Sequence, residues 1–246
     1  MLIAGFPAGS WATNCYLVAP RAGAECIIID PGQEAERGIE DVIERHRLRP
    51  AAVLLTHGHI DHIWSVAPVC GARDIPAYIH PADRALLTDP ARGLGLPSAQ
   101  LFGGLTFTEP DDVAELADGM TINLAGLEFV ADHAPGHTPG SVTFRLQDGV
   151  LFSGDLLFAG SIGRTDLPGG DYPTILESLA RVCLPLPDET QVLPGHGPQT
   201  TIGAERSANP FLAGLVPGGG AAHGGNGPPG GDDASGQPGR LTRPGI

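Results

Sequence analysis

Thr56-His57-Gly58-His59-Ile60-Asp61-His62 follows directly on the apolar run Ala51-Ala52-Val53-Leu54-Leu55. Three imidazoles and one carboxylate thus fall within six residues, at the end of what reads as a buried strand. A strand sends alternate side chains to opposite faces and a helix repeats every three to four residues, so neither could aim all four side chains at one point. The segment must therefore be a loop that curls its ligand-type residues together, with Gly58 easing the turn. A solvated polar loop would not ordinarily collect this set directly behind a buried strand.

Three further ligand-type residues stand at predicted strand ends much later in the chain. His137 lies in Ala134-Pro135-Gly136-His137-Thr138-Pro139-Gly140-Ser141 after the run 127–133. Asp155 lies in Ser153-Gly154-Asp155, and His196 in Pro194-Gly195-His196-Gly197. Alone, each would read as an ordinary turn residue. Together they repeat one arrangement: strand, glycine, ligand.

Working outward, the pattern predicts strands at 11–19 and 26–30 closed by Pro31-Gly32, a helix at 34–46, a strand at 51–55, a helix at 63–70, a strand at 77–79 and a helix at 81–87. A Gly- and Pro-rich loop covers 89–104. Strands at 121–124, 127–133, 142–146 and 150–153, a helix at 171–182 and a strand at 191–193 complete the second half. Two β-rich halves, each with helices, predict an α/β fold of sheets packed face to face and covered outside by helices. Residues 217–246 hold eleven Gly and five Pro with few bulky apolar side chains, which predicts a disordered tail behind one domain at 1–216.

Composition narrows the function. The 246 residues are 41% hydrophobic and 17% charged, and no run approaches the roughly 18–20 apolar residues of a membrane span. The N-terminus has no cation before Arg21 and does not read as a secretion signal. Four scattered cysteines form no C-x-x-C pair, so a reducing, cytoplasmic setting is expected. The net charge of −14 belongs to residues 1–216, because two Asp and two Arg cancel in the tail. Such a surface repels phosphate backbones and argues against a nucleic-acid partner. All fourteen cations are arginine; there is no lysine.

The order T-H-x-H-x-D-H, then G-H, then G-D, then a final G-H resembles the metallo-β-lactamase superfamily, and within it the glyoxalase II-like (hydroxyacylglutathione hydrolase-like) hydrolases. The likeness runs from about Gly9 to Leu212. It implies a four-layer αββα sandwich with a two-metal site at one edge. His57, His59 and His137 would serve one metal; Asp61, His62 and His196 the other; Asp155 would bridge them. The segment from Gly160 to Asp171 looks like a loop of the short bacterial group. It puts Arg164 within reach of substrate, unless Arg164 and Asp166 simply pair to hold the loop.

Imidazole and carboxylate ligands without thiolate suit two divalent ions, zinc first, with iron or manganese also compatible. Such a pair lowers the pKa of a shared water from 15.7 towards about 7, and Asp61 and Asp155 would be the catalytic residues that orient it. No further general acid is evident, which favours a thiolate leaving group, with a pKa near 8.5, over an amine. The resemblance implies the same class, a small-molecule hydroxyacyl thioester such as S-lactoylglutathione. Full-length members carry a further helical domain whose basic residues hold glutathione carboxylates. Here only a short stretch precedes the tail, and lysine is absent, so the acyl group, the thiol and the oligomeric state stay open. The rival readings are a single-iron persulfide dioxygenase of the same fold, using His57, His137 and Asp155, a metal-dependent nuclease or lactonase, and a non-catalytic scaffold. Asp30 is read either as orienting the His loop or as capping its strand. His133 is read as supporting the site or as packing, and His46 and His80 as structural.

Overall fold

The structure is a computed structural model that describes residues 1–95 and 105–215. The predicted tail and most of the predicted 89–104 loop lie outside the described residues. Two six-stranded sheets form the centre. The first comprises β1 (Leu2–Ala8), β2 (Thr13–Ala19), β3 (Glu25–Ile29), β4 (Arg49–Leu54), β5 (Ala77–Ile79) and β6 (Val113–Glu115), in that spatial order. β1, β2 and β3 pair antiparallel, while β3 to β6 run parallel. The second comprises β7 (Met120–Leu124), β8 (Leu127–His133), β9 (Val142–Leu146), β10 (Val150–Gly154), β13 (Gln191–Pro194) and β14 (Thr200–Thr201), with β10 parallel to β13. A two-stranded ribbon of β11 (Leu157–Phe158) and β12 (Ser161–Ile162) stands beside it.

The layers follow from the period of two along each strand. Tyr16, Val18, Ile27, Ile29 and Leu54 of the first sheet meet Phe129, Phe144, Phe152 and Leu193 of the second in the central core. The alternate residues Cys15, Leu17, Cys26, Ile28 and Val53 face outward, against Ile39 and Val42 of α1 (Glu36–His46) and Val66 and Val69 of α3 (Val66–Gly71). On the opposite side, Leu151 and Val192 pack on Ile175 and Leu179 of α4 (Tyr172–Val182), Ile202 of α5 (Ile202–Ala208) and Leu212 of α6 (Pro210–Ala213). These three apolar clusters make the four layers αββα. Strands buried on both faces read as continuous apolar runs, as Cys26-Ile27-Ile28-Ile29 does.

Several local expectations change. The predicted helix 63–70 is two pieces, α2 (Ile60–Ile63) and α3, because Ser65 interrupts it: its hydroxyl donates to the Gly32 carbonyl at 2.7 Å and accepts from Ala35 N at 3.1 Å. The predicted helix 81–87 shortens to a 3₁₀ turn at Arg84–Leu87, and the start of the predicted 89–104 loop is a second 3₁₀ turn at Pro90–Leu94. The strand expected from Trp11 begins at Thr13, leaving Trp11 in the turn between β1 and β2. β1 and β6 are additions. β1 is partly exposed and carries Gly5 and Pro7, which mute the strand signal. Among the described residues, no helix is long and apolar enough to cross a membrane.

Candidate metal centre

The ligand-type residues meet where the ends of the two sheets adjoin. The loop after β4 supplies His57 and His59 and runs into α2, which carries Asp61 and His62. The second sheet supplies His137 after β8, Asp155 after β10 and His196 after β13. The halves are clasped directly: Val142 N donates to the Thr56 carbonyl at 2.7 Å, Asn14 N to the Gly195 carbonyl at 2.7 Å, and the buried Tyr16 hydroxyl to the Pro194 carbonyl at 2.8 Å.

Three overlapping groups result, within each of which one ligand-type atom per residue lies within 4.8 Å of the others: His57, His59 and His137; His57, His62 and Asp155; and Asp61, His62 and His196. His59 Nδ1 is 2.8 Å from His137 Nε2, which is 3.2 Å from His57 Nε2. His196 Nε2 is 3.0 Å from Asp61 Oδ2, and His62 Nε2 is 3.5 Å from the same oxygen. Asp155 stands between the sets, with Oδ1 3.4 Å from His62 Nε2 and Oδ2 3.4 Å from His137 Nε2 and 3.7 Å from His196 Nε2.

The donor set fits divalent cations. Ligand atoms about 2.0–2.1 Å from a tetrahedral ion stand about 3.3 Å apart, and the contacts above bracket that spacing. His62 Nε2 and Asp155 Oδ1 are buried without a hydrogen-bond partner, an arrangement that costs free energy unless something else satisfies them. The backbone is shaped to the same end. A Cβ at Gly195 would meet Asp155 Oδ1 at 2.2 Å and His62 Cε1 at 2.6 Å, so only glycine lets the last loop close over the carboxylate.

Neighbouring groups set which ring nitrogen faces inward. A carbonyl can only accept, so His137 Nδ1–H donates to the Arg164 carbonyl at 2.7 Å and leaves Nε2 free. The single Thr56 hydroxyl proton goes to Asp30 Oδ2 at 2.6 Å; His57 Nδ1–H then donates to the Thr56 oxygen at 3.1 Å. His62 Nδ1 donates to Asp30 Oδ2 at 2.9 Å. Asp30 therefore takes the first of the roles read for it, orienting the His loop, and its Oδ1 also accepts from Thr56 N at 2.8 Å where that loop leaves β4. Those bonds sustain a left-handed φ of 50° at Asp30, a conformation costly for a non-glycine residue.

Electrostatics differ across the site. Burial, reinforced by the other imidazoles, pushes His57 well below its usual range, and burial with His137 takes His59 down to about 3. Burial acts the same way on His62, but Asp155, Asp61 and Asp30 outweigh it and raise that imidazole. His196 is likewise raised, burial being overcome by Asp61 and Asp155. Burial would push Asp61 and Asp155 up, yet the histidines around them, His62 first, hold both below the usual carboxylate range.

One supporting residue escapes sequence reading. Asp83, fully buried in the loop before the first 3₁₀ turn, accepts from Gly58 N at 2.9 Å, Gly140 N at 2.8 Å and the Thr138 hydroxyl at 2.6 Å. It ties the loop of His57 and His59 to the loop of His137. In Ala82-Asp83-Arg84 nothing marks it, because its partners are distant backbone amides. The Arg164 guanidinium pairs with Asp166 through two contacts of 2.7 Å, its carbonyl holds His137, and the residue lines the cleft over the site. His133 lies outside the ligand groups; it stacks on His80 at 4.1 Å between ring centres and bonds the Pro139 carbonyl at 2.8 Å.

Comparison with known proteins agrees with this geometry. The profile of the metallo-beta-lactamase superfamily matches residues 8–196. An uncharacterized protein of Mycobacterium tuberculosis is 53% identical, over 87% of this chain and 99% of its own length. The hydroxyacylglutathione hydrolase GloC of Haemophilus influenzae is 37% identical, over 84% and 95%. Among solved structures, the BLEG-1 B3 metallo-beta-lactamase superposes with a TM-score of 0.77 at 43% identity, covering 86% of this chain and 99% of that one. A protein crystallised in a di-iron-bound form, TTHA1623, gives 0.70 at 42% identity, covering 86% and 100%. With the profile spanning most of the described chain and the fold reproduced, this protein belongs to the metallo-β-lactamase superfamily.

Proposed function

We propose that this metallo-hydrolase cleaves a small hydroxyacyl thioester, adding water across the acyl–sulfur bond to give a hydroxy acid and a free thiol. The observation that carries the reading is the composition of the cleft. His59, Asp61, His137, Asp155 and His196 form its floor, and apart from these ligand-type groups none of the described lining residues is a carboxylic acid, lysine or tyrosine. Beyond the ligand-type groups, a leaving group that needs a proton finds no general acid of these types among the described lining residues, whereas a thiolate departs without one.

Divalent ions held by the two groups, with Asp155 between them, would supply hydroxide near neutral pH and polarise the carbonyl. We assign zinc; the di-iron relative supports iron as the alternative. The protein's own part is orientation. Asp61 and Asp155, kept ionised by the histidines, accept hydrogen bonds from the attacking water and align it with the carbonyl carbon. The Thr13 hydroxyl donates to Asp61 Oδ2 at 3.1 Å and fixes that carboxylate. Four free, buried cysteines support a reducing, cytoplasmic setting, and the acidic charge argues against nucleic acid as a partner.

The likeness to GloC supports the thioester class, while the BLEG-1 similarity favours a second reading, opening of a β-lactam amide. The test is metal analysis of protein purified without added metal, then thiol release under nitrogen from a panel of lactoyl and acetyl thioesters, with a cephalosporin in parallel. Thioester turnover well above that of the cephalosporin is expected. Cephalosporin hydrolysis without thiol release, or oxygen uptake with a persulfide, would overturn the proposal.

A further inference from the structure

The walls of the same cleft carry a statement about the thiol half of the substrate, which rests on the thioester reading. Above the ligand-type floor, the ≈ 430 Å³ space is bounded by Trp11, Ile60, Leu94, Phe158, Ile162 and Leu167. Trp11 is 41% exposed in the turn between β1 and β2, and its ring meets Trp64 edge-on at 5.9 Å between centres. Trp64 in turn meets Phe107 at 5.3 Å, so the indole wall is backed by a second and a third ring. Such a surface gains by covering apolar groups and offers little to a carboxylate.

Charge points the same way. Apart from the imidazoles of the floor, Arg164 is the sole cation among the described lining residues, and its guanidinium is already matched to Asp166. That pair is exposed, 61% and 68%, and so is weak. A carboxylate that displaced Asp166 would nonetheless have that anion as its neighbour. Arg92 lines a separate cavity with Pro139 and Pro168. The whole protein carries −14. An anionic thiol such as glutathione, with two carboxylates, therefore meets apolar walls and an arginine already matched to a carboxylate.

We propose that the cleft selects thioesters whose thiol half is uncharged and apolar, with Trp11 as the wall that recognises it and Asp166 as the group that disfavours a carboxylate-bearing carrier. The test compares kcat/KM for the S-lactoyl esters of benzyl mercaptan and of glutathione on metal-loaded protein, each divided by its rate of alkaline hydrolysis. A preference of about tenfold or more for the benzyl ester is expected, of the size that one apolar contact supplies. Trp11→Ala should lower the benzyl-to-glutathione ratio toward one at unchanged metal content. Asp166→Asn should lower it about threefold by freeing Arg164. Equal or better turnover of the glutathione ester by the wild-type protein would overturn the inference while leaving the thioester reading intact. If neither ester is cleaved, the thioester reading itself fails. A ratio that ignores both substitutions would remove Trp11 and Asp166 from the selection.

Discussion

The two outer ligand groups use similar atoms in opposite settings. His57, His59 and His137 are all buried, with His57 and His137 each braced through Nδ1 and their loops pinned by Asp83. Asp61, His62 and His196 form a charged group in which Asp61 and His196 reach the cleft, with side-chain exposures of 19% and 29%. The contrast teaches a division of labour. The deep group is preorganised, with burial holding His57 and His59 below the usual imidazole range, whereas the outer one borders the cleft through Asp61 and His196.

The largest effect should come from the residue that stands between them. Asp155→Ala should lower kcat/KM by on the order of 10²–10⁴-fold and reduce bound metal measured by plasma emission; wild-type activity in that variant would end the two-group reading. Separating the groups comes next: His196→Ala should keep about one metal per chain while His57→Ala, which touches both sets, should lose more. Equal loss in both variants would erase the contrast. Asp83→Asn, which preserves size but removes the acceptor charge, should cost about 10–100-fold in metal affinity at the three-histidine group, read by competition with a chromophoric chelator; an unchanged affinity would make Asp83 a packing residue.

Chelation of the whole site should lower Tm by about 10 °C, since a ligand at about a thousand times its Kd contributes about 4 kcal/mol and each kcal/mol moves a chain of this size by about 2–4 °C. The mildest test is pH. His62 and His196 have raised proton affinity, so protons compete for the outer group at higher pH than for His57 and His59, which burial keeps neutral. On dialysis from pH 8 to 5.5, metal at the outer group should leave first. Simultaneous loss would mean that the two environments are not distinct.

How much of this was legible beforehand depends on where each signal is stored. The His57–His62 run is local: four ligand types at the end of an apolar strand admit few other meanings. Strand-glycine-ligand at His137, Asp155 and His196 is also local, and its glycine is read correctly, as the Gly195 contact with Asp155 shows. The interrupted helix around Ser65 was hidden, because the apolar spacing of 63–70 looks continuous and the break is made by hydrogen bonds to Gly32 and Ala35. β6 was hidden because three residues of pattern carry almost no periodicity.

The amino-acid order by itself determined the set of ligand-type residues, the layered class and the acidic, lysine-free character, because periodicity, residue chemistry and charge are properties of neighbours and of sums. Only the tertiary structure decided that Asp83 joins two loops, that Asp30 holds both Thr56 and His62, and that Trp11 walls a cleft in which Arg164 is already paired. Those are contacts between residues far apart in the chain, and their energies exist only once the two sheets have closed on each other.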